Sequence, residues 1–240
     1  MKKRSRIGKT QIKAATYNVH QWVGTDRRYD PGRGLRVLQD LNADLLGLQE
    51  VNFPRRLKHR VTEEHLSSIL QMRLIQGRTM YRKEASYGNL LLSRFPPVSI
   101  QRHDITLPPY EPRGIIDALF EIKGSLVRVL VTHLGLRMRE RWYQHQKLKR
   151  IISSGKQDIV VLMGDFNEWI PLRFLFRTIH AMFEHVHAPR TFPTFLPALA
   201  LDRIMVNPKD TLTSIRVHKT ALSRTASDHF PVTATFVLPE

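Results

Sequence analysis

The stretch VVLMGDFNEW (160–169) ends an apolar run on Asp165 and Asn167, a carboxylate and a carboxamide two positions apart. Such a pair could cap a following helix, or it could bind and orient a polar reactant. Other apolar runs begin or end on residues of the same kinds. ATYNVH leads to Asn18, LLGLQEV to Glu50 and VLVTHLG to His133, while YGNLLL begins with Tyr87 and Asn89. LDRIMV begins at Asp202, and ASDHFPV opens a last run with Asp228 and His229. Carboxylates, amides and imidazoles beside buried strands cost free energy unless they are hydrogen-bonded, ion-paired or metal-bound. Each has an ordinary explanation by itself: Glu50 as a solvated strand end, His133 as a satisfied, partly buried histidine, Asp228 as a turn cap. Brought to one rim, they would supply hard oxygen ligands, two imidazoles and amide donors.

Short β-rich runs must do the positioning: IKAATYNVH, ADLLGLQEV, YGNLLLSRF, IIDALFEI, LVRVLVTHL, QDIVVLMGDF, LDRIMV and FPVTATFVL. Apolar periodicity predicts two helices, GRGLRVLQDLN and RERWYQHQKLKRIISSG, the second stopped by Gly155. Pro-rich segments at 95–97, 107–112 and 189–197 read as loops. Strands outnumber helices, and strand-loop-strand units mix with strand-helix-strand ones. That pattern predicts an α/β sandwich of packed sheets with helices outside. One domain is expected over 11–240, behind a basic, flexible tail at 1–10.

The chain has 240 residues, enough for one large domain or two small ones. Its 38 Lys and Arg against 21 Asp and Glu leave a net charge of +17. A field of that size favours polyanionic partners, nucleic acid or an anionic lipid surface. With no cysteine, disulfides, zinc–thiolate sites and Cys nucleophiles are excluded. The basic start MKKRSRIGKT has no apolar segment of signal-peptide type behind it. No apolar run approaches the roughly 18 residues that span a bilayer. A cytoplasmic monomer is expected.

Taken in order, YNVH, LQEV, GDFN, DRI and SDHFPV resemble the endonuclease/exonuclease/phosphatase superfamily over roughly residues 12–237. The resemblance implies a DNase I-like, four-layer α/β sandwich of two packed mixed sheets flanked by helices. It implies a Mg²⁺-dependent phosphoester hydrolase, with Mn²⁺ able to substitute, because few carboxylates and retained waters suit that ion. Glu50 is the expected metal ligand, with Asn18 and Asp228 completing or bordering the site. Asp165 would orient or deprotonate the attacking water, and Asn167 would hold the phosphate or nucleophile in line. His229 would donate to a phosphate oxygen, with Asp202 fixing its tautomer and stabilising its charge. His133 would be a second phosphate donor, and Asn89 stands where its orienting partner is expected. Arg113, in EPRGIIDALF, suits bidentate phosphate binding or a rim salt bridge. Tyr87 suits a phosphate contact or packing. His20 stands where abasic-site endonucleases often carry an acid, which weakens the case for a second metal.

Adjacent loops should select the substrate. NFPRRLKHR (52–60) places Arg55, Arg56, Lys58 and Arg60 just beyond Glu50. RMRERWYQHQKLKR (137–150) interleaves basic residues with Trp142 and Tyr143, suiting a nucleic-acid backbone with base stacking, or an ordinary helix with a solvated basic face. The expectation is a nuclease of the endonuclease type. The alternative is a phosphatase or a phospholipase-like enzyme acting on a lipid, an inositol phosphate or another small phosphoester.

Overall fold

In a computed structural model, the described residues are 10–54, 61–82, 85–155, 157–169, 179, 181–183 and 188–239. The first sheet contains β1 (Gln11–Asn18), β2 (Leu45–Pro54), β3 (Arg73–Arg82), β4 (Ala85–Ser93), β10 (Leu212–Val217) and β11 (Val232–Val237). Its order is β10-β11-β1-β2-β4-β3. The second contains β5 (Pro97–Asp104), β6 (Gly114–Ile122), β7 (Ser125–His133), β8 (Ile159–Asp165) and β9 (Asp202–Asn207), in that order. β1–β2 and β7–β8 pair in parallel and the other neighbours antiparallel, so both sheets are mixed.

Strand periodicity sorts side chains into layers. Val161 and Met163 of β8 face the first sheet, while Val160 and Leu162 face outward. The inter-sheet core joins Ala14, Leu45 and Leu91 to Ile116, Val129 and Val131. Helix α1 (Pro31–Leu41) and helix α2 (Glu63–Leu70) cover the first sheet with Val37, Leu38 and Leu66. Helix α4 (Ala221–Ala226) adds Ala226 to that layer. Helix α3 (Met138–Ile152) covers the second sheet with Leu148 and Ile152. The result is the four-layer sandwich expected from the sequence.

Sequence periodicity misses β3, β5, β10, α2 and α4. Pro97 begins a strand that is exposed along most of its length, so β5 lacks the alternation that marks a half-buried strand. Pro is tolerated there because the first position of a strand need not donate to the ladder. The tail at residues 1–9 and the basic positions Arg55, Arg56, Lys58 and Arg60 lie outside the described residues.

Candidate active site

Register alone brings three predicted residues together. His133, the last residue of β7, pairs with Asp165 of β8, which pairs with Asp202 of β9. The three side chains thus stand in one row across adjacent strands, all buried. Gly164 permits this arrangement: its φ is +151°, and an added Cβ would meet the Thr132 carbonyl oxygen at 1.9 Å. Asp165 does not cap a helix. Its Oδ1 accepts from the Asn167 backbone N–H at 2.9 Å, and Asn167 adopts φ +50°. This tight turn sends the Asn167 amide back to the Leu134 carbonyl, at 2.9 Å.

The first sheet supplies the opposite wall. Asn18 ends β1, and its Nδ2 donates to Asp165 Oδ2 at 3.0 Å and to Glu50 Oε1 at 3.1 Å. One amide therefore ties a carboxylate from each sheet. Glu50 does not end its strand, as the sequence suggests; it lies inside β2, where the register with β4 shifts between Leu48 and Val51. At that bulge Glu50 has φ +56°, outside the ordinary strand region. A bulge re-aims a side chain that regular alternation would send elsewhere.

His229 follows α4 and is anchored by Ser227, whose Oγ donates to the Asn18 carbonyl and accepts from the His229 N–H. Its Nδ1 lies 2.8 Å from Asp202 Oδ2, and Thr191 Oγ1 donates to the same oxygen at 2.6 Å. Nε2 lies 3.8 Å from Asp165 Oδ2. Burial alone would lower the pKa of His229, but the charges of Asp202 and Asp165, the bond to Asp202 and the charge of Asp228 raise it to about 10. The residue is an imidazolium with a proton on Nε2.

His133 is the opposite case. Burial, first, and the neighbouring Arg113 guanidinium push its pKa down to about 3. Arg113 Nη1 donates to His133 Nδ1 at 2.9 Å, while the Asn167 amide nitrogen lies 3.0 Å from Nε2. With the guanidinium donating to Nδ1, that lone pair is taken and a second ring proton is disfavoured. Asn89 is not its partner: the Asn89 amide donates to the Gly114 carbonyl at 3.2 Å. That corrects the expected pairing, because Arg113, on the loop entering β6, reaches the imidazole first.

These groups open on a cavity of about 470 Å³ whose wall includes Glu50, Tyr87, Arg113, Asp165, Asp228 and His229. Tyr87 keeps its phenolic proton, because burial and the charge of Glu50 raise its pKa. Arg113 also pairs with Glu111, at 3.2 Å. Asp228 faces the cavity with its Oδ1 3.7 Å from His20 Nδ1. All predicted site residues that are described are therefore together here, except Asn89, which does not line the cavity and whose amide is bonded to the Gly114 carbonyl. Thr191 and Ser227 are positioning residues to which sequence reasoning assigns no role: Ser227 opens the SDHFPV stretch but is passed over for its neighbours, and nothing distinguishes Thr191 from other loop hydroxyls.

The donor set suits a hard divalent cation. Asp165, Asp202 and His229 hold potential ligand atoms within 4.8 Å of one another. Asp202 Oδ2 and His229 Nδ1 are engaged with each other, which leaves the carboxylates of Asp165, Glu50 and Asp228 as the better-placed oxygens. Burial, first, and the Asp165 charge raise the pKa of Glu50, so a cation is what would keep this carboxylate ionised. Oxygen ligands from few carboxylates match Mg²⁺ or Mn²⁺.

Comparison with known proteins agrees with this fold. Residues 24–229 match the profile of the "Endonuclease/Exonuclease/phosphatase family". The uncharacterized protein YbhP of Escherichia coli K12 is 29% identical, the match covering 93% of this chain and 95% of YbhP. An endonuclease/exonuclease/phosphatase from Beutenbergia cavernae superposes with a TM-score of 0.77 at 19% identity, over 95% of this chain and 72% of that one. Danio rerio TDP2 complexed with single strand DNA product gives a TM-score of 0.67 at 16% identity, over 95% of this chain and all of the other.

Proposed function

We propose that this chain, which belongs to the endonuclease/exonuclease/phosphatase family, hydrolyses a phosphodiester by direct attack of water, assisted by Mg²⁺ or Mn²⁺. One observation carries the reading: the His229 imidazolium and the Asp165 carboxylate face the same cavity, with Nε2 and Oδ2 3.8 Å apart. An acid and an acceptor that close, each fixed by a separate partner, can serve opposite ends of one displacement.

In this reading Asp165 accepts a hydrogen bond from the attacking water and takes its proton as the P–O bond forms. Asn18, bonded to Asp165 Oδ2, holds that carboxylate in its rotamer. His229 donates its Nε2 proton to a phosphoryl oxygen or to the departing oxygen, while Asp202 stabilises the cation and Thr191 holds Asp202. Arg113 faces negative oxygen, and His133, neutral, holds the guanidinium through Nδ1 and adds no charge, while Asn167 braces the imidazole. Glu50, with Asp228 nearby, would hold the metal, whose chemistry is Lewis-acid stabilisation of charge on the phosphoryl and leaving oxygens.

Net charge supports a polyanionic substrate, and the similarity to TDP2, solved with a single strand DNA product, supports nucleic acid among them. Exposed Leu136 and Trp169 at the rim of the cleft support a second reading, a lipid phosphodiester. The test is a panel of supercoiled plasmid, abasic duplex, RNA, phospholipid vesicles, inositol phosphates and bis(p-nitrophenyl) phosphate, each with Mg²⁺, Mn²⁺ or EDTA. Turnover that needs either metal and disappears in EDTA is expected. No turnover of any diester with either metal would overturn the proposal.

A further inference from the structure

Nine large apolar side chains are exposed among the described residues, and six of them lie on segments that line the cavity or continue directly from residues that do. Leu136 and Trp169 line it. Phe195 and Leu196 form the tip of a loop whose two feet, Phe192 and Leu199, line it as well. Met138 and Trp142, four residues apart on α3, continue outward from Leu136. Exposure runs from 51% at Trp142 to 75% at Phe195. The loop is firmly held: Thr194 is buried, its N–H donates to the Asp228 carbonyl at 2.9 Å, and Arg224 Nη1 donates to the Thr194 carbonyl at 2.7 Å. A rigid loop that presents Phe and Leu to water beside a phosphoester site has no interior reason to do so.

Basic residues interleave with this apolar rim. Exposed Arg137 and Arg139 alternate with Leu136 and Met138, and exposed Arg190 precedes the loop. The whole chain carries +17. We propose that the rim docks on an anionic lipid bilayer. Phe195, Leu196 and Met138 enter the boundary between headgroups and acyl chains, the arginines meet lipid phosphates, and the cleft comes to rest over the headgroup layer. Aliphatic chains decide between bilayer and nucleic acid. Leu136, Met138 and Leu196 have no ring on which a base could stack, but they gain by leaving water for hydrocarbon. Trp142 and Trp169 suit the headgroup level, where an indole buries its ring and keeps its N–H solvated. This inference rests on the phosphoester-hydrolase reading, of which it names the setting.

The test mixes the full chain with vesicles of phosphatidylcholine alone or with phosphatidylglycerol, and with a single-stranded oligonucleotide. Turnover of bis(p-nitrophenyl) phosphate with Mn²⁺ is followed in parallel. Sedimentation with phosphatidylglycerol vesicles is expected, with a blue shift of tryptophan fluorescence. The double substitution Phe195→Asp with Leu196→Asp should weaken vesicle binding at least tenfold and leave turnover of the soluble diester unchanged. Met138→Asp, on a different element, should weaken vesicle binding too. No sedimentation of the native chain, or undiminished sedimentation of both variants, would overturn docking. So would variants that lose the oligonucleotide and keep the vesicle. A native chain that binds vesicles but never turns over the soluble diester would refute the hydrolase reading instead.

Discussion

Two histidines flank Asp165 at 3.6 and 3.8 Å, and their surroundings push their pKa values in opposite directions. The difference comes from their partners: His229 has Asp202 at Nδ1, whereas His133 has Arg113 there. His133 should therefore stay neutral on titration down to about pH 3, which nuclear magnetic resonance of the imidazole can follow. Arg113→Ala should raise that midpoint by removing the neighbouring positive charge. His229→Ala and Asp165→Asn should each lower kcat by about 10²- to 10⁴-fold with little change in KM, because proton transfer belongs to the transition state. A change confined to KM would mean that the residue only binds substrate. Glu50→Gln should abolish the response to Mn²⁺ while circular dichroism stays native.

Elements turn these side chains toward one another, and here the sequence was unevenly informative. Residues that end regular strands, such as His133 and Asp165, could be read because apolar runs stop at them. The bulge at Glu50 could not, since one extra residue in a strand leaves no mark in the apolar pattern. The sequence pattern points to Asn89 as the orienting partner of His133, but that amide is taken by the Gly114 carbonyl and Arg113 fills the place. Likewise Arg141, which looks like part of a solvated basic face, is buried and donates to the Gly135 and Leu136 carbonyls. Gly164→Ala should destabilise the fold by about 3 kcal/mol or more, measured by urea unfolding, because its Cβ has nowhere to go. Farther back in the second sheet, Arg128 grips Asp117 through Nε and Nη2 at 2.9 and 2.7 Å, and His103 adds a third contact. Burial would raise the Asp117 pKa, but the bonds from Arg128 and His103 outweigh it and lower it. Its contribution is complete above the unfolded value of about 3.9 and is lost as pH falls through the lower folded value. Asp117→Asn should cost about 3–5 kcal/mol at neutral pH, with the difference from the native chain shrinking as pH falls below that of free aspartate.

At the scale of the molecule, +17 spreads over a fold whose catalytic opening lies between two sheets. Association with any polyanion should weaken steeply as salt rises, whereas turnover of a small diester should change little. An equally steep loss for both would place the salt effect inside the site. The fold also has a temporal side. β1 pairs with β11, so an inner ladder of the first sheet joins residues 11–16 to 232–237. His229 lies just before that last strand. A chain emerging from the ribosome can zip β5 to β9 together early, yet it must wait for its final strand before the first sheet closes and the imidazolium arrives. On the hydrolase reading, a nascent chain stalled before residue 229 carries most of its basic residues but no working blade.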